Sequence, residues 1–102
     1  MKEYDIFIPL FYNDGSPIEP EKLWALQDRL VEEFKGLTFF PHPNEGFWRM
    51  GEVTYRDKIV IHRVFAVDTV AARQFLVGLK EDLKRDFRQE EILIIARDVE
   101  AL

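Results

Sequence analysis

A chain of 102 residues, 47% of them hydrophobic and nine of them phenylalanine, is sized for one domain with one core and is too apolar for disorder. The lack of cysteine excludes disulfides, thiolate nucleophiles and cysteine-based zinc or iron–sulfur sites. A net charge of −5 lacks the basic footprint of a general nucleic-acid binder.

The first predicted element is a strand over Tyr4–Tyr12, YDIFIPLFY, aromatic and β-branched, closed by the turn signal Asn13-Asp14-Gly15. Pro9 removes one ladder donor and predicts a bulge or an irregular end there. The early charges Glu3 and Asp5 interrupt what a signal peptide would need, which predicts a cytoplasmic location. No stretch approaches the roughly 20 apolar residues of a membrane span. Glu19–Lys35 then reads as a helix. Pro20 sits at the first helical position, Leu23, Leu26, Leu30 and Phe34 form one apolar stripe, and Gly36 is the expected stop.

Leu37–Phe40 is short and apolar. Beyond the interruption Pro41–Gly46, Phe47–Met50 either continues that strand or forms its hairpin-side end, and Gly51 turns the chain. Val53–Val67 is the longest β-like stretch. Asp68 or Thr69 caps a second helix over Val70–Arg88, with Ala72, Phe75, Leu76, Leu79, Leu83 and Phe87 on one face. Gly78 in its interior is expected where the helix lies close to a sheet. Glu91–Val99 is the last strand. The order β-α-β-β-α-β predicts an α+β, ferredoxin-like fold: a four-stranded antiparallel sheet with both helices on one face.

Strand alternation sets Ile6, Ile8 and Leu10 opposite Phe7 and Phe11 in the first strand, Val60, Val64 and Ala66 opposite Ile59, Ile61, Phe65 and Val67 in the third, and Ile92, Ile94 and Ala96 opposite Leu93 and Ile95 in the last, so both sheet faces read apolar. With the helices on one side only, the second face is an apolar patch larger than monomers usually expose. The expected cover is a second copy in a twofold homodimer. The C-terminal tail or the Pro41–Gly46 loop folding over it is the alternative.

Candidate chemistry is sparse. His62 reads either as a general base or metal ligand, or as a satisfied histidine on a sheet face or at a dimer seam. Arg63 beside it points the opposite way, so the two cannot directly serve one site. His42, near Asn44, Glu45 and Glu52, has no ligand-spacing signature, so no metal and no cofactor are expected. Trp48, Arg49, Tyr55 and Arg56 cluster around the Gly51 turn. They form either a ligand-binding wall for a small anionic or aromatic molecule, or a cross-strand pair with surface ion pairs. Ser16 is the only serine and lies in a turn, which leaves no basis for Ser-His-Asp catalysis.

Gly36-Leu37-Thr38, Gly46-Phe47-Trp48, then Gly51 and Asp57, and finally the run Arg85–Leu93 (RDFRQEEIL) resemble a family of small bacterial proteins classed as a domain of unknown function. The resemblance runs from about Leu10 onward and implies a ferredoxin-like α+β domain without an established activity. Where that family carries Ser or Thr at the start of the first helix, this chain has Glu19. In architecture alone the predicted fold also resembles dimeric α/β-barrel proteins, some of them enzymes.

Two functions follow. The first is a non-catalytic homodimeric binding module with a small-molecule site near the Gly46–Asp57 hairpin. The second is a dimeric α/β-barrel-type enzyme for a small organic acid or aromatic substrate. Its cleft would lie between sheet and helices, with His62 as base and Arg63 or Arg56 as anion clamp. An RNA-binding module is disfavoured by the charge and by the lack of an aromatic-basic strand signature.

Overall fold

The computed structural model describes residues 1–102. Its elements are β1 (Lys2–Pro9), α1 (Pro20–Phe34), β2 (Thr38–Met50), β3 (Val53–Ala66), α2 (Val70–Asp86) and β4 (Ile94–Asp98). The strands form one antiparallel sheet in the order β2-β3-β1-β4, the ferredoxin-like arrangement expected from the sequence.

Local chemistry sets the element ends. β1 ends at Pro9, which still pairs with Ile59, and the Leu10 amide beyond it donates to the Lys58 carbonyl at 3.0 Å, so the proline interrupts no bond to β3. The chain then turns through Tyr12–Ser16, with Gly15 at φ +87° and the Asp14 carboxylate accepting from the Ser16 amide at 2.8 Å. Pro20 starts α1, as predicted. Glu19 precedes it without capping it; its carboxylate accepts a hydrogen bond from the Tyr12 hydroxyl instead. The stop of α1 differs from expectation. Lys35, not Gly36, takes the left-handed conformation, at φ 61°, and its amide bonds back to Val31. Thr69 caps α2 by accepting from the Ala72 amide at 3.1 Å. Gly78 is no close-approach position: a side chain there would meet nothing within 4 Å.

β2 runs unbroken through the stretch that looked like an interruption. Pro41 and Pro43 fall inside a β-bulge, between the pairs Phe40↔Ile61 and Asn44↔Ile59. β2 is also an edge strand, so the bulge and the edge together accommodate two residues that cannot donate to a ladder. Gly51, at φ 62°, takes the first position of the two-residue turn closed by Met50↔Val53, where a left-handed φ is needed.

One core holds the domain together. Tyr4, Ile6, Ile8, Val60 and Val64 from the sheet meet Leu26 and Leu30 of α1 and Leu76, Leu79 and Leu83 of α2. Phe87 and Ile92 close its end, both 1% exposed. The two helical stripes and the strand parity therefore fall as the periodicity predicted. No helix is long and apolar enough to cross a membrane.

The candidate functional site

The sheet face away from the helices carries the site geometry. Its central row runs from β2 through β3 and β1 to Leu93, the residue before β4. Phe40 pairs with Ile61, Ile61 with Phe7, and the Phe7 amide donates to the Leu93 carbonyl at 3.0 Å. Within it Phe40 and Leu93 remain 36% and 51% exposed. That row is the apolar patch the alternation predicted.

Sequence reasoning missed what lies beside it. The next rows carry Glu3, Asp5, Arg63 and Arg97, two carboxylates and two guanidinium groups. Arg63 donates to Asp5 through Nε at 2.8 Å and Nη2 at 3.0 Å, a bidentate pair. Arg97 Nη1 bridges Asp5 at 2.9 Å and Glu3 at 3.0 Å. Asp5 is only 2% exposed, yet its charge is fully matched. The Arg63 guanidinium, then Arg97, holds its carboxyl below the usual carboxylate range, against the opposing effect of burial. Alternation alone puts Glu3 and Asp5 on the same face as Phe7. The open face is therefore part apolar and part a neutral ion network, not apolar throughout.

On the other side of the apolar row lies a cavity of about 380 Å³. It sits between the protruding end of the β2–β3 hairpin and the segment Gln89–Leu93 that leads into β4. Phe7, Ile59 and Leu93 supply its apolar lining. Trp48 and Tyr55 supply an aromatic wall. They are direct cross-strand partners with ring centroids 4.4 Å apart and planes 16° from parallel. The Trp48 indole N–H donates to Asp57 Oδ2 at 2.7 Å, which fixes the ring's orientation. Asp57, Glu90 and Glu91 place carboxylates on the lining, and no lysine, arginine or histidine joins them.

The four hairpin residues singled out in the sequence divide between two faces. Trp48 and Tyr55 face the cavity. Arg49 and Arg56 lie on the reverse side of the same ribbon, as strand alternation requires. Arg56 pairs with Glu45 and stacks over the Phe47 ring at 5.8 Å, and Arg49 donates to Thr54 Oγ1 at 3.2 Å. Neither guanidinium reaches the cavity, so the anion-binding version of the site lacks its cation.

His62 is fully buried on the helix face. The Phe39 ring stacks on it at 4.7 Å, and the Gln27 side-chain amide lies 3.1 Å from its Nε2. Nδ1 has no hydrogen-bond partner. Burial pushes the imidazole down to about 4, so it is neutral near pH 7. It lines neither the hairpin cavity nor the smaller groove between the helices. Arg63 is on the opposite face, engaged with Asp5. The two residues cannot act as a base and anion clamp in one cleft. His42 is exposed in the bulge, and no group of three histidine or acidic side chains converges to hold a metal.

No protein-family model matches the chain, and no curated protein matches it. Among solved structures, it is similar to a phage SAM lyase in complex with S-methyl-5′-thioadenosine, with 13% identity and a TM-score of 0.72 over 95% of this chain and 80% of that one. It is also similar to a point variant of CutA1 from Pyrococcus horikoshii OT3, with 16% identity and a TM-score of 0.62 over 100% of this chain and 86% of that one. At these identities the likeness establishes the shared α+β fold and leaves the function to the site itself.

Proposed function

We propose that this domain is a binding module that self-associates as a homodimer through its open sheet face and holds a small molecule in the hairpin cavity. The observation that carries the proposal is the make-up of that face. An exposed apolar row lies between a charge-neutral network and an aromatic-walled cavity. A second copy suits the row because Glu3 and Asp5 are already matched by Arg63 and Arg97, so two such faces meet without net repulsion. The small-molecule reading draws on the cavity's size, within the range of roughly 300–1,000 Å³ typical of ligand pockets. It draws further support from the phage SAM lyase, whose structure contains S-methyl-5′-thioadenosine.

Sedimentation at micromolar concentration tests the dimer. The expected species has the mass of two chains. Ile61→Lys, which places a charge in the middle of the apolar row, should shift it to one chain while leaving the helix-face core folded. A wild-type protein that sediments as a single chain overturns the dimer.

A further inference from the structure

The hairpin cavity joins two features. One is a flat aromatic wall, the Trp48–Tyr55 stack, held in place by the indole's bond to Asp57. The other is an uncompensated negative lining. Glu91 is paired with Lys80 at 2.9 Å and has its carboxyl held below the usual range by that ammonium. Asp57 and Glu90 have no such partner: Asp57 accepts only the neutral indole N–H, and no basic side chain lies on the lining. The neighbouring arginines do not correct this balance, since Arg56 is committed to Glu45 on the reverse of the ribbon and Arg63 to Asp5 further along the sheet.

From this geometry we infer that the cavity selects a small organic cation bearing a flat aromatic ring. This inference rests on the small-ligand part of the proposed function and names the chemistry of that ligand. The ring stacks on the Trp48–Tyr55 wall, and the apolar lining of Phe7, Ile59 and Leu93 removes it from water. The positive charge sits against the half-buried Asp57, where opposite charges attract more strongly than in water, with the exposed Glu90 adding to the field. It also gains from the outer face of the ring it stacks on, the inner faces being taken up by the Trp48–Tyr55 stack itself, and that face's quadrupole attracts cations. An anionic aromatic of the same size would bring its charge beside the carboxylates with no guanidinium to offset it. That reverses the preference expected when Arg49 and Arg56 are grouped with the two aromatics by nearness in sequence.

The test uses probes of similar size and different charge, 1-methylquinolinium and 2-naphthoate, titrated into the uniformly ¹⁵N-labelled protein. The readout is the Trp48 indole N–H resonance, with the exposed Trp24 indole as internal control. The expected result is a saturable shift of Trp48 and not of Trp24 with the cation. The anion should bind at least about tenfold more weakly. Asp57→Asn keeps an acceptor for the indole and removes the charge. It should weaken the cation about three- to tenfold and leave the anion unchanged or tighter. Equal binding of the two probes overturns the inference, as does a Trp48 resonance that does not move with the cation. Sedimentation of the same samples separates the two proposals: a dimer that ignores the cation sinks the ligand class alone, and a monomer that binds it sinks the dimer alone.

Discussion

β2 and β3 pass through two different environments, and the contrast between them explains most of this molecule. At the base, β3 has β2 on one side as far as Arg63 and β1 on the other from Ile59 to Ala66, and its inward residues Val60, His62 and Val64 lie under the helices. At the arm, Gly46–Met50 and Val53–Asp57 pair only with each other and project beyond β1. Phe47, Trp48, Met50 and Val53 are exposed there, between 41% and 64%. The same kind of sequence, aromatic and β-branched, makes a core in one place and a surface in the other. The difference comes from which neighbours the register supplies, so the base carries stability and the arm is free to carry recognition.

The largest expected effect is at the base. Leu79 of α2 is fully buried against the sheet. Leu79→Ala should cost about 2–5 kcal/mol, the usual range for a buried leucine truncated to a methyl group. Against a total stability of about 5–15 kcal/mol, that is enough to move the urea midpoint far or to leave the domain partly unfolded. A loss below about 1 kcal/mol would mean that the helix-covered core does not carry the fold.

Acid should sharpen the contrast next, because the base contains a neutral buried histidine and the arm does not. His62 is held at about 4, compared with an ordinary value of 6.5. Its folded state therefore refuses a proton that the unfolded chain accepts. Stability from this group is fully present above pH 6.5, falls as pH drops through the window from 6.5 to 4, and levels off below it. The size of the fall is about 3 kcal/mol, from 1.36 kcal/mol per unit of displacement. Unfolding free energy measured against pH should fall by close to one proton's slope in that window. A flat profile would break the assignment of His62 as a buried neutral group. The carboxylates with lowered values, such as Asp5, lose their contribution mainly below this window, since their folded forms stay ionised under the ordinary carboxylate range.

Much of the base was legible in the chain. Leu26 and Leu30, and Leu76, Leu79 and Leu83, repeat at helical spacing, and that spacing fixes a buried stripe whatever the partner. Ile6, Ile8, Val60 and Val64 follow from alternation in the same way. In the arm, Trp48 and Tyr55 are equidistant from the Gly51–Glu52 turn, so a two-residue hairpin makes them partners. That symmetry holds as far as Asn44↔Ile59 and fails at Phe40↔Ile61, because the proline-containing bulge inserts extra residues. What was not legible depends on contacts between distant parts of the chain. Asp5 meets Arg63 and Arg97 across separations of 58 and 92 residues, and only the sheet register brings them together. The cavity likewise exists because the arm leans over Gln89–Leu93, a segment with no local sign of forming a wall. Arg49 and Arg56 misled for the complementary reason. They are close to the aromatic pair in sequence and on the other face in space.

The smallest expected effect is on the arm itself, and it decides what the arm is for. Trp48 stacks on Tyr55 and donates to Asp57, and it is 41% exposed. Removing it deletes one cross-strand aromatic pair and one exposed hydrogen bond, worth together about 0.5–1.5 kcal/mol. The core residues of the base touch none of these atoms, so the urea slope and the pH profile from His62 should not change in Trp48→Ala. The sedimenting mass should also stay at two chains, because the apolar row at Phe40 and Ile61 lies outside the pair. A Trp48→Ala protein that unfolds outright would make the arm part of the core and erase the distinction between the two regions. A folded dimer that no longer takes up 1-methylquinolinium would place stability and recognition at opposite ends of the same two strands.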